Sequence, residues 1–455
     1  MFNGLRAEGW TVRYNFGVLV AFFALLLLFG GASRADVIGQ AVVRIAAILV
    51  LVSSGLQLNA KAFARVKAPA ILLGLLTAVI GIQLVPLSPG LWASLPGHGV
   101  FNEALKTAEV APVWRPISVT PDLTLNALLA LLPAAATLSL LALMPRRIQP
   151  SVLALLLVAI AVSTAIGILQ ISTGGPYFYQ ITNNGSAVGS FANRNHSALF
   201  VALALPLLAG GMTLPKVHDQ RALIRFWGAL CAAAVVFPIL LVTGSRAGLL
   251  LGVIGIAGSL LILLAWSRWR KPRRGQLIGT APAIAVIVIV ATVFALSSRD
   301  EALRRLLSGS DDDVRSNLLP TFLRMIADYF PFGSGFGSFD PVYRMYEPHS
   351  NLSFAYLNQA HNDWAQIVME GGLPALLLLL AALGWFASRS FRTWRSGPAE
   401  NLVLGRTASV LITMIGIGSL FDYPLRTPLM GAVVAIAAAW MALDYEAPGP
   451  TRRPG

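Results

Sequence analysis

The sequence contains little charge and one cysteine. Asp, Glu, Lys and Arg make up 12% of its 455 residues, and typical soluble domains carry about twice that share. Because Cys231 is the single cysteine, the chain can form no internal disulfide and offers no cysteine cluster for a metal ion. Neither a soluble enzyme domain nor a disulfide-stabilised fold therefore fits this composition.

Apolar runs take up most of the chain, and hydrophobic residues account for 56% of it. Many runs are long enough to cross about 30 Å of hydrocarbon as helices. Twelve runs can be assigned, at 15–30, 37–58, 68–87, 123–144, 151–171, 196–214, 223–243, 247–267, 278–297, 373–388, 402–421 and 427–444. They leave no stretch for a water-facing core. We therefore predict one all-α integral membrane domain, residues 1–455, with about twelve transmembrane helices.

The positive charges indicate how this domain is oriented. If loops alternate between two sides, 21 of the 34 Lys and Arg fall on the side of the termini and 12 on the other, with Arg44 inside a span. The clusters in short loops all fall on the first side, which the positive-inside rule makes cytoplasmic. We predict cytoplasmic termini and two long outer loops, 88–122 and 298–362. Because the net charge of +14 follows membrane orientation, we expect no nucleic-acid partner.

The second outer loop contains a predicted helix and a glycine-rich turn. Apolar residues recur at helical spacing, which predicts a helix at the membrane interface: Leu318, Leu319, Phe322, Ile326 and Tyr329. Pro320 is expected in its first turn or at a kink. The stretch Gly333–Gly337 follows no strand, so we interpret it as a flexible turn in preference to a phosphate-binding loop.

Arginines on the outer side need an explanation, because the orienting rule depletes positive charge there. Snorkelling to lipid headgroups or solvated loop charge accounts for Arg299, Arg304 and Arg305. Arg246 lies in a connection so short that its side chain must lie at the mouth of two helices. Since guanidinium can bind two phosphate oxygens at once and stays charged, Arg246 is a candidate anion-binding residue.

Three further polar clusters lie at outer helix ends. Asn193–His196 precedes the sixth span, where its amides can bind sugar hydroxyls or cap the helix. Asp363 and Glu370, seven residues apart, would share a helical face. Two glycines after Glu370 are expected to bend the chain into the next span. The last cluster is the turn Phe421–Arg426, in which an Asp422–Arg426 ion pair is the simplest expectation.

His361 is the best candidate for proton transfer, since imidazole titrates near neutrality and this one lies among polar residues at the outer interface. A capping or loop-binding role is the alternative. No His-Glu-x-x-His or paired-cysteine spacing predicts a metal site. We interpret Asp311–Asp313 as solvated loop charge, and we expect neither a metal nor another cofactor.

Four motifs together resemble the bacterial O-antigen ligase and polysaccharide polymerase superfamily. They are Gly-Ser-Phe-Ala-Asn-Arg-Asn-His at 189–196, Gly-Ser-Arg-Ala-Gly at 244–248, Gly-Ser-Gly-Phe-Gly-Ser-Phe at 333–339, and Ala-His-Asn-Asp-Trp at 360–364 with Glu-Gly-Gly at 370–372. The order and spacing of the motifs carry the resemblance, which covers roughly 180–430; the first five helices resemble it only in pattern.

The resemblance implies a metal-independent, inverting glycosyltransferase in the bacterial inner membrane. Such an enzyme takes a glycan from undecaprenyl pyrophosphate at the periplasmic face and passes it to an acceptor hydroxyl. By this resemblance Arg246 and Arg315 would bind the pyrophosphate and His361 would act on the acceptor. The secondary candidates for substrate binding are Arg194, Asn195, Arg344, Asn362 and Arg426. Both outer loops would be periplasmic, the second with active-site elements.

The acceptor decides which member of this superfamily the chain resembles most. A growing lipid-linked repeat unit would make it an O-antigen or exopolysaccharide polymerase, which the Asn-Arg-Asn-His and Ala-His-Asn-Asp signatures favour. A lipid A-core sugar would make it an O-antigen ligase, and a protein side chain an oligosaccharyltransferase. A lipid-linked glycan transporter is the alternative of another class. It is disfavoured because the sequence shows no repeated half and few ionisable residues in the middle of spans.

Overall fold

The protein, seen in a computed structural model, is described at residues 9–214, 222–267, 310–349, 352, 357–396 and 402–443, without the side chains of 222–226, 266–267 and 310–318. Helices dominate this part of the chain. Its strands are the antiparallel pair β1 (Pro86–Leu87) and β2 (Arg115–Pro116). The prediction of an all-α membrane protein is confirmed for the helical fold class, but not for the number of spans.

The helices follow the apolar runs. In chain order they are α1 (Trp10–Phe29), α2 (Ile38–Gly55), α3 (Ala60–Arg65), α4 (Lys67–Ile82), α5 (Pro89–Ala93), α6 (Gly99–Thr107), α7 (Pro121–Leu129), α8 (Leu132–Leu143), α9 (Gln149–Thr173), α10 (Arg194–Ala202), α11 (Ala204–Thr213), α12 (Ala222–Thr243), α13 (Arg246–Ser267), α14 (Ser310–Tyr329), α15 (Phe339–Tyr346), α16 (Asp363–Arg395), α17 (Val403–Gly418) and α18 (Pro428–Leu443).

Seven helical stretches among the described residues are long and apolar enough to cross a membrane, and four shorter apolar helices accompany them. Each coincides with one of the predicted runs. The predicted span 278–297 lies outside the described residues, so the twelve-span arrangement stays a prediction. The stretch formed by α10 and α11 is the most enclosed of the seven, because 89% of its most apolar 18-residue segment is buried inside the protein. It therefore occupies the middle of the helical packing.

Contacts near the ends of helices define two ends of the helical packing. At one end, the backbone N–H of Ala192 donates to the carbonyl of Gly31. At the other, the side-chain amide of Asn15 donates to that of Gln57, 3.0 Å away. The prediction that successive loops alternate between the two sides of the membrane puts Gly31 and Ala192 on one side, and Asn15 and Gln57 on the other. Both contacts agree with it. Which end faces the cytoplasm remains a prediction.

The predicted helix of the second long loop is present as α14. Its residues Phe322, Met325 and Tyr329 are buried, whereas Leu319 and Leu323 are exposed. Pro320 lies inside this helix and not in its first turn. Arg315 and Asp311–Asp313 belong to the same helix, but their side chains lie outside the described residues. The placement of α14 at a membrane interface remains a prediction.

The glycine-rich stretch after α14 is a tightly packed turn. Gly333, Gly335 and Gly337 all have positive φ, and a Cβ on Gly335 would collide with the hydroxyl of Ser118. Four successive backbone N–H groups, those of residues 333–336, donate to protein acceptors. The turn prediction holds, but the expected flexibility does not, because glycine is needed here for close packing.

Two glycines also shape α16, as the sequence predicts. Gly372 interrupts the helix with φ 60° and ψ −149°. A Cβ at this position would collide with the carbonyl oxygen of Pro331. The kink therefore separates a short N-terminal segment of α16, which carries Asp363 and Glu370, from its long apolar part.

Candidate active site

Asp422 is the centre of a buried polar cluster. Its carboxylate atom Oδ2 accepts hydrogen bonds from the side-chain amides of Asn193, at 3.1 Å, and Asn195, at 2.7 Å. Its other oxygen, Oδ1, accepts from the backbone N–H of Tyr423 at 3.0 Å. The residue is only 3% exposed. A buried carboxylate is tolerated when several donors replace its water shell, as these do.

Two histidines face the same carboxylate. Nδ1 of His361 lies 3.2 Å from Oδ1 of Asp422, and Nε2 of His196 lies 3.6 Å from the same atom. Both imidazoles pack edge-on against the ring of Tyr423, with centroids 4.9 and 5.0 Å away. The carboxylate and the phenol ring together fix the orientation of both histidines.

Local turns bring these side chains together. Asn193 caps α10, where its side-chain oxygen accepts from the N–H of Asn195 at 2.8 Å. Asn362 caps α16 in the same way, by accepting from the N–H of Ala365. His361 precedes this cap with φ 51°, in the left-handed region, a conformation that histidine adopts more readily than most residues. Asn193 and Asn362 thus begin the two helices and also position the neighbouring side chains of the site.

The electrostatics of the cluster favour an ionised Asp422. Burial alone would raise the pKa of this carboxyl, but the facing imidazoles of His196 and His361 lower it well below its usual range. Burial, together with the charge of Asp422, raises the pKa of Tyr423. At neutral pH the cluster therefore contains a carboxylate and a protonated phenol.

A neighbouring turn connects Arg246 with this cluster. The hydroxyl of Ser245 donates to the side-chain oxygen of Asn195 at 2.8 Å. The same hydroxyl oxygen accepts from the N–H of Gly248 at 2.9 Å, which holds the first turn of α13. Arg246 is the first residue of that helix. Two of the sequence motifs therefore meet at Asn195.

A second ionic group lies next to Asp422. The guanidinium of Arg426 binds Oδ1 of Asp363 at 3.3 Å and Oε2 of Glu370 at 3.0 Å. Burial would lower the pKa of Arg426, yet Glu370 and Asp363 raise it. The predicted shared face of Asp363 and Glu370 is correct. The expected Asp422–Arg426 ion pair is wrong, because each residue has partners far away in the chain.

A cavity of about 900 Å³ opens beside the cluster. Its walls come from the ends of α1, α2 and α10, from the segments at 178–183 and 357–361, and from Tyr423. Arg194, Asn195, His196 and His361 all line it. Nδ1 of His361 is buried against Asp422. Nε2 is therefore the ring atom that can reach a molecule in the cavity.

Not every sequence candidate reaches this site. Arg344 is exposed on α15 and pairs with Asp340, its neighbour one turn away. Arg426 is held by two carboxylates, and Asn362 by its capping bond. Sequence reasoning noted Asp422 only as a partner of Arg426 and did not place it with the histidines, and it ranked His196 below His361. The signal for both was their position within polar clusters at helix ends.

Among the described residues, no group of three or more His, Cys, Asp and Glu side chains is arranged to hold a metal ion. The polar atoms of the candidate site are organised instead around hydrogen bonds to Asp422 and around the two-carboxylate pairing of Arg426.

Comparison with known proteins agrees with the motifs. The family model for O-antigen ligase matches residues 229–380, about a third of the chain. The matched stretch begins within α12, includes Arg246, the glycine-rich turn and His361, and ends within α16. The predicted resemblance to the O-antigen ligase and polysaccharide polymerase superfamily is confirmed. No curated protein matches the chain.

Proposed function

We propose that this chain is a membrane glycosyltransferase that moves a glycan from undecaprenyl pyrophosphate to an acceptor sugar hydroxyl. The observation that carries the proposal is the position of His361 at the wall of the 900 Å³ cavity, with Nδ1 3.2 Å from the carboxylate of Asp422. The match of residues 229–380 to the O-antigen ligase family supports the same class of reaction.

His361 acts as the general base. The ionised Asp422 can only accept hydrogen bonds, so it favours the tautomer with the proton on Nδ1 and leaves a lone pair on Nε2. The acceptor hydroxyl gives its proton to Nε2 while its oxygen forms the new bond to the anomeric carbon. The bond from that carbon to the pyrophosphate oxygen breaks, and its electron pair leaves with the pyrophosphate. A single displacement of this kind inverts the anomeric centre.

Arg246 and Arg315 bind the leaving pyrophosphate. Two guanidinium groups can neutralise the charge that develops on it, the task that a metal ion performs in other enzymes. Arg246 suits this role because the hydrogen bond from Ser245 to Asn195 ties its turn to the histidine cluster. Arg194 lines the cavity and is a secondary candidate for binding the glycan or its phosphates.

The site lies at the periplasmic face of a bacterial inner membrane. Twelve spans put both termini in the cytoplasm, and the short basic loops lie there with them. The segments 88–122 and 298–362 are then periplasmic, and the second contributes the glycine-rich turn and His361.

The preferred acceptor is a growing lipid-linked repeat unit, which makes the chain an O-antigen or exopolysaccharide polymerase. Ligation to lipid A-core is the second candidate, since O-antigen ligase is the description of the matching family. Transfer to a protein is a third acceptor choice, and a lipid-linked glycan transporter is the alternative of another class.

Incubation of the purified protein with a lipid-linked repeat unit distinguishes these reactions on a gel. A ladder of products identifies a polymerase. A single shift that requires added lipid A-core identifies a ligase, and a shift that requires an acceptor protein identifies an oligosaccharyltransferase. If no new covalent product forms under any condition, glycosyl transfer is contradicted and transport is favoured.

A further inference from the structure

A second cavity lies away from the candidate active site, between α4, α8, α16, α17 and α18. Its volume is about 600 Å³, within the range of pockets that hold small ligands. Its walls are almost wholly apolar. Along α16 it is lined by Trp364 and by residues between 379 and 386, the latter covering about 11 Å at 1.5 Å per helical residue. An apolar space of this volume accommodates a hydrocarbon chain.

The two ends of this slot differ in polarity. At the end near the active site, the indole N–H of Trp364 donates to the carbonyl of Gly416 at 2.8 Å. At the far end, the buried indole N–H of Trp385 has no acceptor among the described residues. A buried donor without a partner is costly, and no described residue supplies an acceptor to this one.

Other polar groups continue from that end. Arg389 lies four residues after Trp385, and Ser390 four residues after Phe386, so they extend the same two faces of α16 by one turn. The hydroxyl of Ser390 is also buried without a partner among the described residues. Lys67 is exposed two residues before Pro69, which lines the slot. Donors and cations thus collect where the apolar slot ends.

We propose that this slot binds a membrane glycerophospholipid with an anionic headgroup. One acyl chain lies in the slot, an ester carbonyl accepts from Trp385, and the phosphate lies near Ser390, Arg389 and Lys67. The prenyl chain of a donor is a poorer occupant. Its pyrophosphate would lie at the Trp364 end and would leave the buried donors at the other end unsatisfied. The site is separate from glycan transfer and does not depend on it.

The test uses full-length protein stripped of lipid in detergent. Phosphatidylglycerol should raise the melting temperature by about 3 °C or more at saturating concentration, and phosphatidylcholine should raise it less. Trp385→Phe removes the N–H but keeps the ring, and Arg389→Gln removes the charge. Both variants should lose the phosphatidylglycerol shift. Arg392→Gln is the matched control, because it removes an exposed charge one turn further along α16 and should keep the shift.

Native mass spectrometry provides a readout that does not depend on melting. The unaltered protein should retain one phosphatidylglycerol more often than Trp385→Phe does. Equal shifts with both lipids, or equal loss in the Arg392→Gln control, would overturn the proposal in favour of general bilayer lipid. A larger shift with undecaprenyl phosphate that Trp385→Phe abolishes would overturn it in favour of a prenyl chain.

Discussion

Asn195 connects Ser245 to Asp422. Its side-chain oxygen accepts from the Ser245 hydroxyl at 2.8 Å, and its amide nitrogen donates to the Asp422 carboxylate at 2.7 Å. One amide therefore joins α10, the start of α13 and the turn before α18. Because an amide offers both an acceptor and a donor, no other common side chain of this size can satisfy both neighbours.

Asn195→Asp tests this connection. The substitution keeps the acceptor for Ser245 but places a second carboxyl against Asp422, so it should destabilise the protein by about 1–3 kcal/mol and reduce transfer. Asn59→Asp is the matched control, because the side-chain oxygen of Asn59 accepts from the N–H of Ala62 at the cap of α3, and Asn59 does not line the cavity. Melting temperature and transfer rate are the measurements. Equal behaviour of the two variants would contradict the connecting role.

The sequence was sufficient to predict the helices but not the partners within the site. Apolar runs locate the spans because the hydrocarbon core imposes length and composition on them. His361 and Asn195 could be found because polar clusters at helix ends are conspicuous in an apolar chain. The partners of Asp422 could not, since Arg426 lies four residues away in the same turn and is the obvious local choice.

In the turn Phe421–Arg426, tertiary packing gives Asp422 and Arg426 separate partners. Arg426 binds Asp363 and Glu370 across sequence separations of 63 and 56 residues. Asp422 binds the amides of Asn193 and Asn195 across 229 and 227 residues. A sequence pattern can indicate ion pairs between residues three or four positions apart in a helix. It does not indicate contacts between residues that are far apart in the sequence. Pro320 lies inside α14 and not in its first turn, so the alternative of a kink is the part of that prediction that stays open.

The orientation of the chain can be tested by chemical labelling. We expect a cysteine at Ser310 to react with an impermeant thiol reagent in intact spheroplasts, because 298–362 is predicted to be periplasmic. The native Cys231 is replaced by Ser in the same protein to leave one thiol. A cysteine at Ser396, after the predicted cytoplasmic end of α16, should react only in lysed cells. The reverse pattern would invert the proposed topology.

The pyrophosphate role of the arginines predicts that lysine cannot replace them. Arg246→Lys and Arg315→Lys retain charge but lose the paired hydrogen bonds of guanidinium. Each should lower turnover by about tenfold or more, a cost of about 1.4 kcal/mol in transition-state stabilisation. Arg344→Lys is the control, since Arg344 pairs with Asp340 outside the cluster. Normal turnover in both test variants would refute the role, and EDTA should have no effect.

The buried Asp422 predicts how stability depends on pH. Its folded-state pKa lies well below the ordinary value of 3.8, so the unfolded chain binds its proton at higher pH than the folded protein does. The stabilisation is fully present above the unfolded pKa and is lost as pH falls toward the folded one. Asp422→Asn should therefore melt lower than the unaltered protein at pH 6, and the gap should narrow below about pH 4. A gap that widens in acid would contradict the ionised state.

His361 allows the sharpest separation of catalysis from structure. As a base it should contribute about 10²–10⁴-fold to the transfer rate, and His361→Ala should lose that factor while binding of the lipid-linked donor stays nearly intact. The alternative is that His361 only holds the loop against Asp422.

His361→Gln distinguishes the two roles, because the amide keeps a donor for Asp422 but cannot take up a proton near neutral pH. Near-normal transfer in this variant would leave His361 as a positioning residue. Loss of transfer in both variants, with donor affinity and detergent melting unchanged, supports the base. The rate of the unaltered enzyme should then fall as acid protonates the imidazole, since protonation removes the lone pair that Nε2 offers to the acceptor hydroxyl.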